Sequence, residues 1–560
     1  MKAGRGGKTP WWAWLGLLAI LALDVWLRGH TFAPLVRERW GVEPYPAVGA
    51  EGEPLDCDEA AYGYIGRRMV NGAVLYRDLT ENKPPLGYAF YATAVAIGGP
   101  TEWAIRVLPI PIVLATIVLL GWIANELAGP VAAVAAAFAY AIASTDPRLY
   151  GNAAQIEHPL NLFAVASLAA MVRAWTRPGR SWPFVAGLCV GAAALVKQGA
   201  ALNVVVYGVA LVARRPRRWR DMAALLGGFA LAWIVAIGVL VVQGAGRAAF
   251  EDIVRLGAAL AAETPSPAHA PSPWFRWLTG NSDPRGGSLP FPFGKTDWLV
   301  WWGGGTWPLW LASVAGLFRL AAGPGPRRLA CAWTLSAWVQ LVAPGLYWPH
   351  YYLIPLPGAA LAVAVLLEDE WPTRRGRWGR IRWWMAGVAL LSLAATAFLL
   401  ARDYLGVPPA RLGTLYKGGQ QWLQQRALGR ELGRRSRAWR SPRLFVWGYQ
   451  SPLYFYSGLD APTPEFFAND LLKGYADRDH PLIRPRIRRI MDDLRARPPE
   501  LIFVGYPPFA DLRTFLRERY EPDTGLVRAW PDGIGLWVKR GEALRFDGRA
   551  AAVARGAGGD

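Results

Sequence analysis

The sequence predicts an α-helical polytopic membrane protein that ends in an extracytoplasmic α/β domain. Of its 560 residues, 53% are hydrophobic and 30 are Trp, and the long uncharged runs in which they cluster are typical of a chain that crosses a bilayer many times. The net charge of +20 comes from short Lys and Arg clusters between these runs, as in cytoplasmic loops. Because these clusters form no continuous basic surface, the composition argues against nucleic-acid binding.

The basic clusters orient the membrane spans. The amino-terminal Lys and Arg residues precede an apolar run without a clear cleavage site, which predicts an uncleaved signal anchor with its amino terminus in the cytoplasm. The later clusters "RAWTRPGR", "RRPRRWR", "RLAAGPGPRR" and "TRRGRWGRIR" are placed on the same side. Between them we predict about eleven transmembrane helices, most of them near the ~20 residues that a bilayer requires. The predicted spans are residues 11–28, 104–125, 130–147, 158–175, 182–198, 199–213, 222–243, 297–318, 328–345, 350–368 and 383–401.

One further apolar run, "LGYAFYATAVAIGG" at residues 86–99, is short for a crossing. If it crossed the membrane, the basic cluster at 173–180 would lie outside, against the positive-inside rule. We therefore predict a helix that lies in the outer interface. The polar turns of the chain then collect on the extracytoplasmic face.

The pattern divides the chain into three parts. Residues 1–402 form the transmembrane domain, and its first external loop covers residues 29–103. Residues 403–545 are predicted to form the extracytoplasmic α/β domain, with strands at 443–450, 500–506 and 533–540 and amphipathic helices at 482–497 and 509–520. Residues 546–560 are rich in Gly and Ala and are predicted to be a disordered tail.

An acidic cluster opens the stretch "DCDEAAYGYIGRRMVNGAVLYRDLTENKPPL" in the first external loop. Asp58 and Glu59 precede an apolar stripe with helical spacing, formed by Tyr62, Ile65 and Met69. In the first turn of a helix, an acid can have capping of that helix as its sole role. It can also act as a general base when it faces a substrate. The sequence leaves both readings open.

The same acids raise the question of a metal. Asp56 and Asp58 stand two residues apart, and carboxylate oxygens are the ligands that hard divalent cations prefer. Two such carboxylates are also compatible with plain solvation. No cofactor is certain from the sequence, and a divalent cation held by Asp56 and Asp58 is the one candidate.

Cationic side chains are predicted at the same face. Lys83, Arg106, Lys197 and His350 all fall in outer loops or at the outer ends of spans, where they could bind an anionic group. The alternative for Arg106 and Lys197 is snorkelling to the interface. His350 and Tyr351 could equally belong to an aromatic belt, and Glu157 could be an ordinary acid at a helix start.

The run from Asp58 to Ala92, followed by "GGPTEWAIRVLPI", resembles the first external loop of glycosyltransferase family 39. That clan contains the protein O-mannosyltransferases and the lipid A aminoarabinose transferases and has the GT-C fold. The shared pattern is Asp-Glu, a Tyr four positions after the Asp, a Gly before a Tyr, Lys-Pro-Pro-Leu, and Ala-x-Arg at the next span. The resemblance is strong over residues 56–112, weaker at 187–202 and 350–363, and nearly absent from the C-terminal domain.

The resemblance implies an inverting glycosyltransferase that moves a sugar from a polyprenyl-phosphate donor to an acceptor on the extracytoplasmic face. It implies that Asp58 is the catalytic carboxylate with Glu59 beside it. The phosphate of the donor is then expected to contact the cations, with Lys83 and Arg106 favoured and Lys197 and His350 as further candidates. The residues that we predict to contact the substrate are Tyr62, Asp78, Glu157 and Tyr351.

Two other functions remain open at this point. A transporter or flippase of lipid-linked sugars would carry charges in the middle of its spans and repeated halves, whereas the charges here gather at one face. A non-catalytic relative could act as a receptor through its C-terminal domain. The acceptor of a transferase could be a lipid, a glycan or a protein, although no stretch is long enough for the β-trefoil domain of protein mannosyltransferases.

Overall fold

The computed structural model describes residues 10–32, 52–176, 179–214, 219–256, 305–344, 348–370, 379–417, 421–437, 439–468, 471, 480–523 and 535–541. Helices dominate the first two thirds of the chain. In chain order they are α1 (Trp11–Gly29), α2 (Cys57–Val70), α3 (Leu86–Gly98), α4 (Glu102–Val107), α5 (Pro109–Leu127), α6 (Pro130–Ala143), α7 (Glu157–Thr176), α8 (Ser181–Val196), α9 (Leu202–Ala213), α10 (Trp219–Val242), α11 (Gly246–Phe250), α12 (Trp307–Ala322), α13 (Gly325–Val342), α14 (Leu356–Glu370) and α15 (Gly379–Leu400).

The predicted spans coincide with helices. The first span corresponds to α1 and the second to α4 with α5. The remaining nine spans correspond, in chain order, to α6–α10 and α12–α15. By length and composition, the helical segments able to cross a membrane are Trp11–Gly29, Glu102–Leu127, Trp219–Val242, Pro349–Asp369 and Trp383–Leu405, and several shorter apolar helices accompany them. The prediction of a helical membrane protein is thus confirmed. The first part of the span predicted at 297–318 and the tail at 546–560 lie outside the described residues.

Small residues allow the helices of the bundle to approach closely. Gly187 of α8 and Gly228 of α10 each lie against the backbone of the other helix, and a Cβ atom there would stand 1.9 Å from the Leu225 carbonyl oxygen or 2.0 Å from the Phe184 carbonyl oxygen. In lipid, such contacts replace the hydrophobic effect as the force that holds helices together. The small side chains of α14 serve the same purpose, and this helix is enclosed on all sides.

The C-terminal region forms a small α/β domain. Its elements are α16 (Pro409–Tyr416), α17 (Gln421–Ser436), β1 (Leu444–Trp447), α18 (Pro452–Ser457), α19 (Arg484–Ala496), β2 (Leu501–Val504), α20 (Ala510–Arg519), β3 (Tyr520–Pro522) and β4 (Gly535–Lys539). The sheet order is β1-β2-β4-β3, with β1 parallel to β2 and the other pairs antiparallel. The three predicted strands and both predicted helices are present, whereas α16, α17, α18 and β3 were not predicted.

Alternating side chains give the sheet two buried faces, because successive residues of a strand point to opposite sides. Phe445, Trp447 and Ile502 pack against the core that α19 and α20 complete. Leu444 and Val446 face the other way, into a core shared with α2 and α18. The C-terminal domain therefore rests directly on the first loop, which brings its residues next to the predicted site.

Candidate active site

The first turn of α2 is built by a capping box. The side chain of Asp56 accepts a hydrogen bond from the Glu59 backbone N–H (2.9 Å), and the side chain of Glu59 accepts one from the Asp56 backbone N–H (3.2 Å). Asp56 also accepts from Gln155 Nε2 (2.9 Å). Because Asp56 satisfies the free N–H groups of the helix, Asp58 is not required as a cap.

Two glycines lock α2 in place. A Cβ on Gly63 would stand 2.8 Å from Phe455 of α18, and a Cβ on Gly66 would stand 2.8 Å from the backbone of Tyr91 in α3. Arg67 donates hydrogen bonds to Leu459 O and Asp460 Oδ1, both at 2.8 Å. The sequence predicted a helix with one apolar stripe. The structure instead shows α2 enclosed between the bundle and the C-terminal domain, so even Arg67 is buried.

One side of this turn is a buried ion-pair network. Glu59 is fully buried; its Oε2 lies 2.9 Å from Arg106 Nη2, and its Oε1 accepts from the Ala154 backbone N–H (2.7 Å). Arg106 also lies 3.4 Å from Glu53 Oε2 and donates to Pro54 O (2.8 Å). The sequence predicted a catalytic role for Glu59 and a phosphate-binding role for Arg106. The geometry does not bring either to an open site, because both charges are enclosed and paired with each other.

The other side of the turn is open. The Asp58 carboxylate is 23% exposed, and its Oδ2 lies 4.0 Å from His350 Nε2. His350 belongs to a short 3₁₀-helix at Pro349–Leu353 that leads into α14. Asp58 and His350, which the sequence placed 292 positions apart, are thus brought together at the top of the bundle.

Lys83 stands beside this open side. Its Nζ donates a hydrogen bond to the Tyr62 hydroxyl (2.8 Å), and Tyr76 OH donates to the Lys83 carbonyl (2.7 Å) and shapes its loop. Burial by itself lowers the pKa of the Lys83 ammonium, but the nearby Glu81 and Asp58 carboxylates outweigh burial and raise this pKa well above its ordinary value. Lys83 is therefore a fixed positive charge next to Asp58.

Lys197, Glu157 and Tyr351 form a second group at this opening. Lys197 Nζ lies 3.0 Å from Glu157 Oε1 and 3.1 Å from the centroid of the Tyr351 ring. Glu157, the first residue of α7, is fully buried. The ammonium of Lys197 is consequently held by a carboxylate and an aromatic face, which is more definite than the snorkelling alternative.

Asp78 lies apart from this group. Its Oδ2 accepts from the Val74 backbone N–H (2.8 Å), and both carboxylate oxygens accept from Arg77 (3.0 and 2.9 Å). A third of the side chain is exposed. The structure therefore shows Asp78 stabilising a turn of the first loop, and the substrate contact predicted for it stays a prediction.

The geometry does not favour the predicted cation pair. Asp56 already uses both carboxylate oxygens as hydrogen-bond acceptors. Within the residues that the structure describes, no three His, Cys, Asp or Glu side chains converge as a metal site would require. Whether the protein needs a divalent metal ion stays a prediction that chelation can test.

Sequence reasoning missed Glu53, Tyr150, Asn152, Gln155 and Lys417. Glu53 accepts from Asn152 Nδ2 (2.5 Å) and lies 2.8 Å from Lys417 Nζ. Burial and the nearby Glu59 raise the pKa of Asp56, whereas Lys417 opposes this rise. A lysine in a mixed loop at 417 carries no local signal. The polar run "GNAAQIEH" at 151–158, at the start of a span, could have drawn attention to Asn152 and Gln155.

A cleft lies on the other side of Lys83, where the first loop meets the C-terminal domain. Thr80, Glu81 and Lys83 line one wall of this narrow cleft, and Glu465, Phe467 and Arg486 line the other. The Thr80 backbone N–H donates to Pro464 O (3.0 Å) and joins the two walls. The cleft therefore continues from the cation that neighbours Asp58.

Comparison with known proteins gives a family match for part of the chain and a fold for most of it. Residues 82–241 match the family model described as dolichyl-phosphate-mannose-protein mannosyltransferase. A comparison with curated proteins gives no match. Among solved structures, ArnT from Cupriavidus metallidurans bound to undecaprenyl phosphate is similar, with a TM-score of 0.53 and 16% identity over 95% of this chain and 99% of that chain.

Two further structures show lower similarity. ArnT from Cupriavidus metallidurans in the apo state has a TM-score of 0.49 and 17% identity over 87% of this chain and 94% of that chain. The oligosaccharyltransferase of Archaeoglobus fulgidus in the apo form has a TM-score of 0.47 and 15% identity over 80% of this chain and 64% of that chain.

The family match begins at Asn82, next to Lys83, and continues through α10, so it includes Arg106, Glu157 and Lys197. It favours the transferase over the transporter or flippase that the sequence left open. The match over residues 82–241 and the shared fold bear out the predicted resemblance to the glycosyltransferase family 39 clan and the predicted GT-C membrane fold.

Proposed function

We propose that the chain is an inverting glycosyltransferase that moves a sugar from a polyprenyl-phosphate donor to an acceptor hydroxyl on the extracytoplasmic face. One observation carries the assignment of the base. Of the five acids gathered around the first turn of α2, Asp58 is the accessible one, while the other four are at most 3% exposed. Those four are Glu53, Asp56, Glu59 and Glu157.

The site supplies both a base for the acceptor hydroxyl and a cation for the leaving phosphate. The acceptor oxygen attacks the anomeric carbon as Asp58 takes the hydroxyl proton, and the bond between that carbon and the phosphate oxygen breaks. The electron pair of the broken bond stays on the leaving phosphate. Lys83 offsets the negative charge that develops there, because its ammonium is fixed by Tyr62 and stays protonated. A single base on the acceptor side is sufficient for inversion.

Lys197 and His350 add N–H donors to the proposed lipid-phosphate site. Lys197 and His350 lie around the same opening as Asp58, and a phosphate is recognised by several positive charges and N–H groups. The structure of ArnT with the same fold contains undecaprenyl phosphate. We assign the donor phosphate to the space bounded by Lys83, Lys197 and His350, with Tyr62 and Tyr351 as aromatic walls.

The acceptor is assigned to the cleft between the first loop and the C-terminal domain. Glu81 and Phe467 line this cleft, and Arg486, which is paired with the buried Glu465 (3.3 Å), lines its far wall. Carboxylate, guanidinium and aromatic groups together suit a hydroxyl-rich group. Because the cleft begins at Lys83, an acceptor held there has a short path to Asp58. The C-terminal domain would then bias the choice of acceptor.

The orientation follows from the positive-inside rule, with a cytoplasmic amino terminus and an extracytoplasmic C-terminal domain. Reporter fusions after residue 100 and after residue 178 are expected to report outside and inside, respectively. An inside signal at residue 100 would reverse the interfacial assignment of α3.

The activity is tested with purified protein in nanodiscs and radiolabelled polyprenyl-phosphate sugars, followed by identification of the labelled product and of its anomeric configuration. Asp58→Asn is expected to reduce transfer by about 10²–10⁴-fold, the range for a general base, with an unchanged thermal unfolding temperature. Wild-type turnover in this variant, or retention of configuration in the product, would contradict the proposed mechanism.

A further inference from the structure

Lys417, the residue that directly follows α16, carries a buried ammonium group. The side chain is 1% exposed, and its Nζ lies 2.8 Å from Oε1 of Glu53, which is fully buried as well. An isolated buried ammonium is costly, so this position depends on its carboxylate partner. A single cation from the C-terminal region is thus inserted beneath the first loop.

The ion pair is the first member of a chain of four alternating charges. Glu53 Oε2 lies 3.4 Å from Arg106 Nη1, and Arg106 Nη2 lies 2.9 Å from Glu59 Oε2. Two carboxylates and two cations balance to zero net charge. The last carboxylate belongs to the residue that directly follows Asp58.

A second set of contacts leads from Lys417 to the same point. Its Nζ lies 5.5 Å from the centroid of the Tyr150 ring, and the Tyr150 ring lies 6.1 Å from the His350 ring. His350 Nε2 in turn lies 4.0 Å from Asp58 Oδ2. The ammonium is therefore linked to both sides of the first turn of α2.

We propose that Lys417 is a positioning residue for transfer: by neutralising Glu53 it leaves Arg106 paired with Glu59, and this pairing fixes Asp58 in its reactive position. The inference rests on the proposed function of Asp58. Lys417 acts through Glu53, Arg106 and Glu59 and does not itself contact the donor.

The physical reason is a competition for Arg106. This guanidinium is shared between two carboxylates, at 2.9 Å from Glu59 and 3.4 Å from Glu53. Without Lys417, the uncompensated charge of Glu53 draws Arg106 away from Glu59. The first turn of α2 then loosens at Glu59, and Asp58 moves with it. A displacement near 1 Å at a reacting group can cost about 10²-fold in rate.

Three variants test this competition through kcat and the donor KM. Lys417→Met is expected to lower kcat by about 10²-fold with an unchanged donor KM, as for a misplaced base. Lys417→Arg retains most of the rate. The double variant Lys417→Met with Glu53→Gln removes both charges, so Arg106 returns to Glu59 and kcat recovers above that of Lys417→Met. Lys539→Met, the same change on β4 of the same domain, is the control and keeps wild-type kinetics.

An unchanged kcat in Lys417→Met, or a double variant slower than Lys417→Met, would overturn the inference. If Lys417→Met fails to fold, Lys417→Gln is measured instead, since it keeps a polar side chain beside Glu53 and removes the charge. A lowered kcat there supports the inference, and an unchanged kcat rejects it. Wild-type transfer by Asp58→Asn would instead reject the proposed function, which separates the two failures.

Discussion

The two sides of the first turn of α2 contain the same kinds of residues and differ in what surrounds them. Glu59 is fully buried and its oxygens are occupied by Arg106, Ala154 and Asp56. Asp58, one position earlier, is 23% exposed and faces His350. Successive residues of a helix point about 100° apart, so a single step along the chain separates an internal anchor from a group open to substrate.

A similar contrast separates two cations near this turn: a positive charge on the predicted face does not by itself make a side chain a phosphate ligand. Arg106 and Lys83 are both predicted ligands of a phosphate, yet Arg106 is surrounded by Glu53, Glu59 and Pro54 O, whereas Lys83 is held by one neutral hydroxyl. A cation whose donors are already used by carboxylates has little capacity for a further anion. Lys83 keeps that capacity.

The largest effect on stability is expected on the buried side. Glu59→Gln leaves Arg106 without its nearest carboxylate and should lower the free energy of unfolding by about 3–5 kcal/mol, the range for a broken buried ion pair. Thermal unfolding of the detergent-solubilised protein, followed by Trp fluorescence, measures this change. Glu59→Gln combined with Arg106→Met removes both charges and should regain part of the stability. A Glu59→Gln protein that is as stable as wild type but inactive would return Glu59 to the catalytic role predicted from the sequence.

An intermediate effect is expected at Lys83. Lys83→Met removes a charged donor from the proposed phosphate site and should weaken donor binding by about 1.5–3 kcal/mol, or roughly tenfold to a hundredfold at about 1.4 kcal/mol per factor of ten. The donor Kd, measured by titration of the polyprenyl phosphate, should rise while the acceptor KM stays near wild type. If the acceptor KM rises instead, Lys83 serves the cleft and not the donor.

The smallest effect is expected at Asp78, which lies outside both sides. Asp78→Asn removes a partly exposed ion pair with Arg77 and should lower the free energy of unfolding by about 1 kcal/mol or less, with transfer unchanged.

The hydrogen bonds from Arg77 lower the pKa of the Asp78 carboxyl below its ordinary value of 3.8. Its contribution to stability is therefore present above about pH 4 and is lost as the pH falls below that value. Unfolding at pH 7 and pH 3 measures the difference between variant and wild type. A loss of transfer like that of Lys83→Met would support the substrate contact predicted for Asp78.

Local patterns predicted much of the fold. The apolar runs placed the helices of the bundle, because each run records the length that a bilayer demands. The strands at β1, β2 and β4 are short apolar runs flanked by turns, and α19 and α20 show helical spacing. By contrast, α17 is rich in Arg and Gln and has a weak apolar stripe, and it is held through tertiary contacts such as Arg426 with Gly52 O (2.8 Å).

The candidate site was predicted in part. The sequence of the first loop indicated Asp58, Lys83 and Tyr62 as site residues, and these three lie together in the structure. The sequence could not distinguish Glu59 from Asp58, or Arg106 from Lys83. Charge and spacing do not show which of these side chains the fold buries.

The sequence alone determined the class of the protein, its helical spans and the segment to which the chemistry is assigned in our proposal, because length, hydropathy and motif spacing are local properties. Only the tertiary structure decided which of two adjacent acids stays accessible and which cations remain available to a ligand. It also revealed the buried pair of Glu53 and Lys417. Burial and pairing depend on residues hundreds of positions apart, and their free energies arise only when the fold removes water from between them.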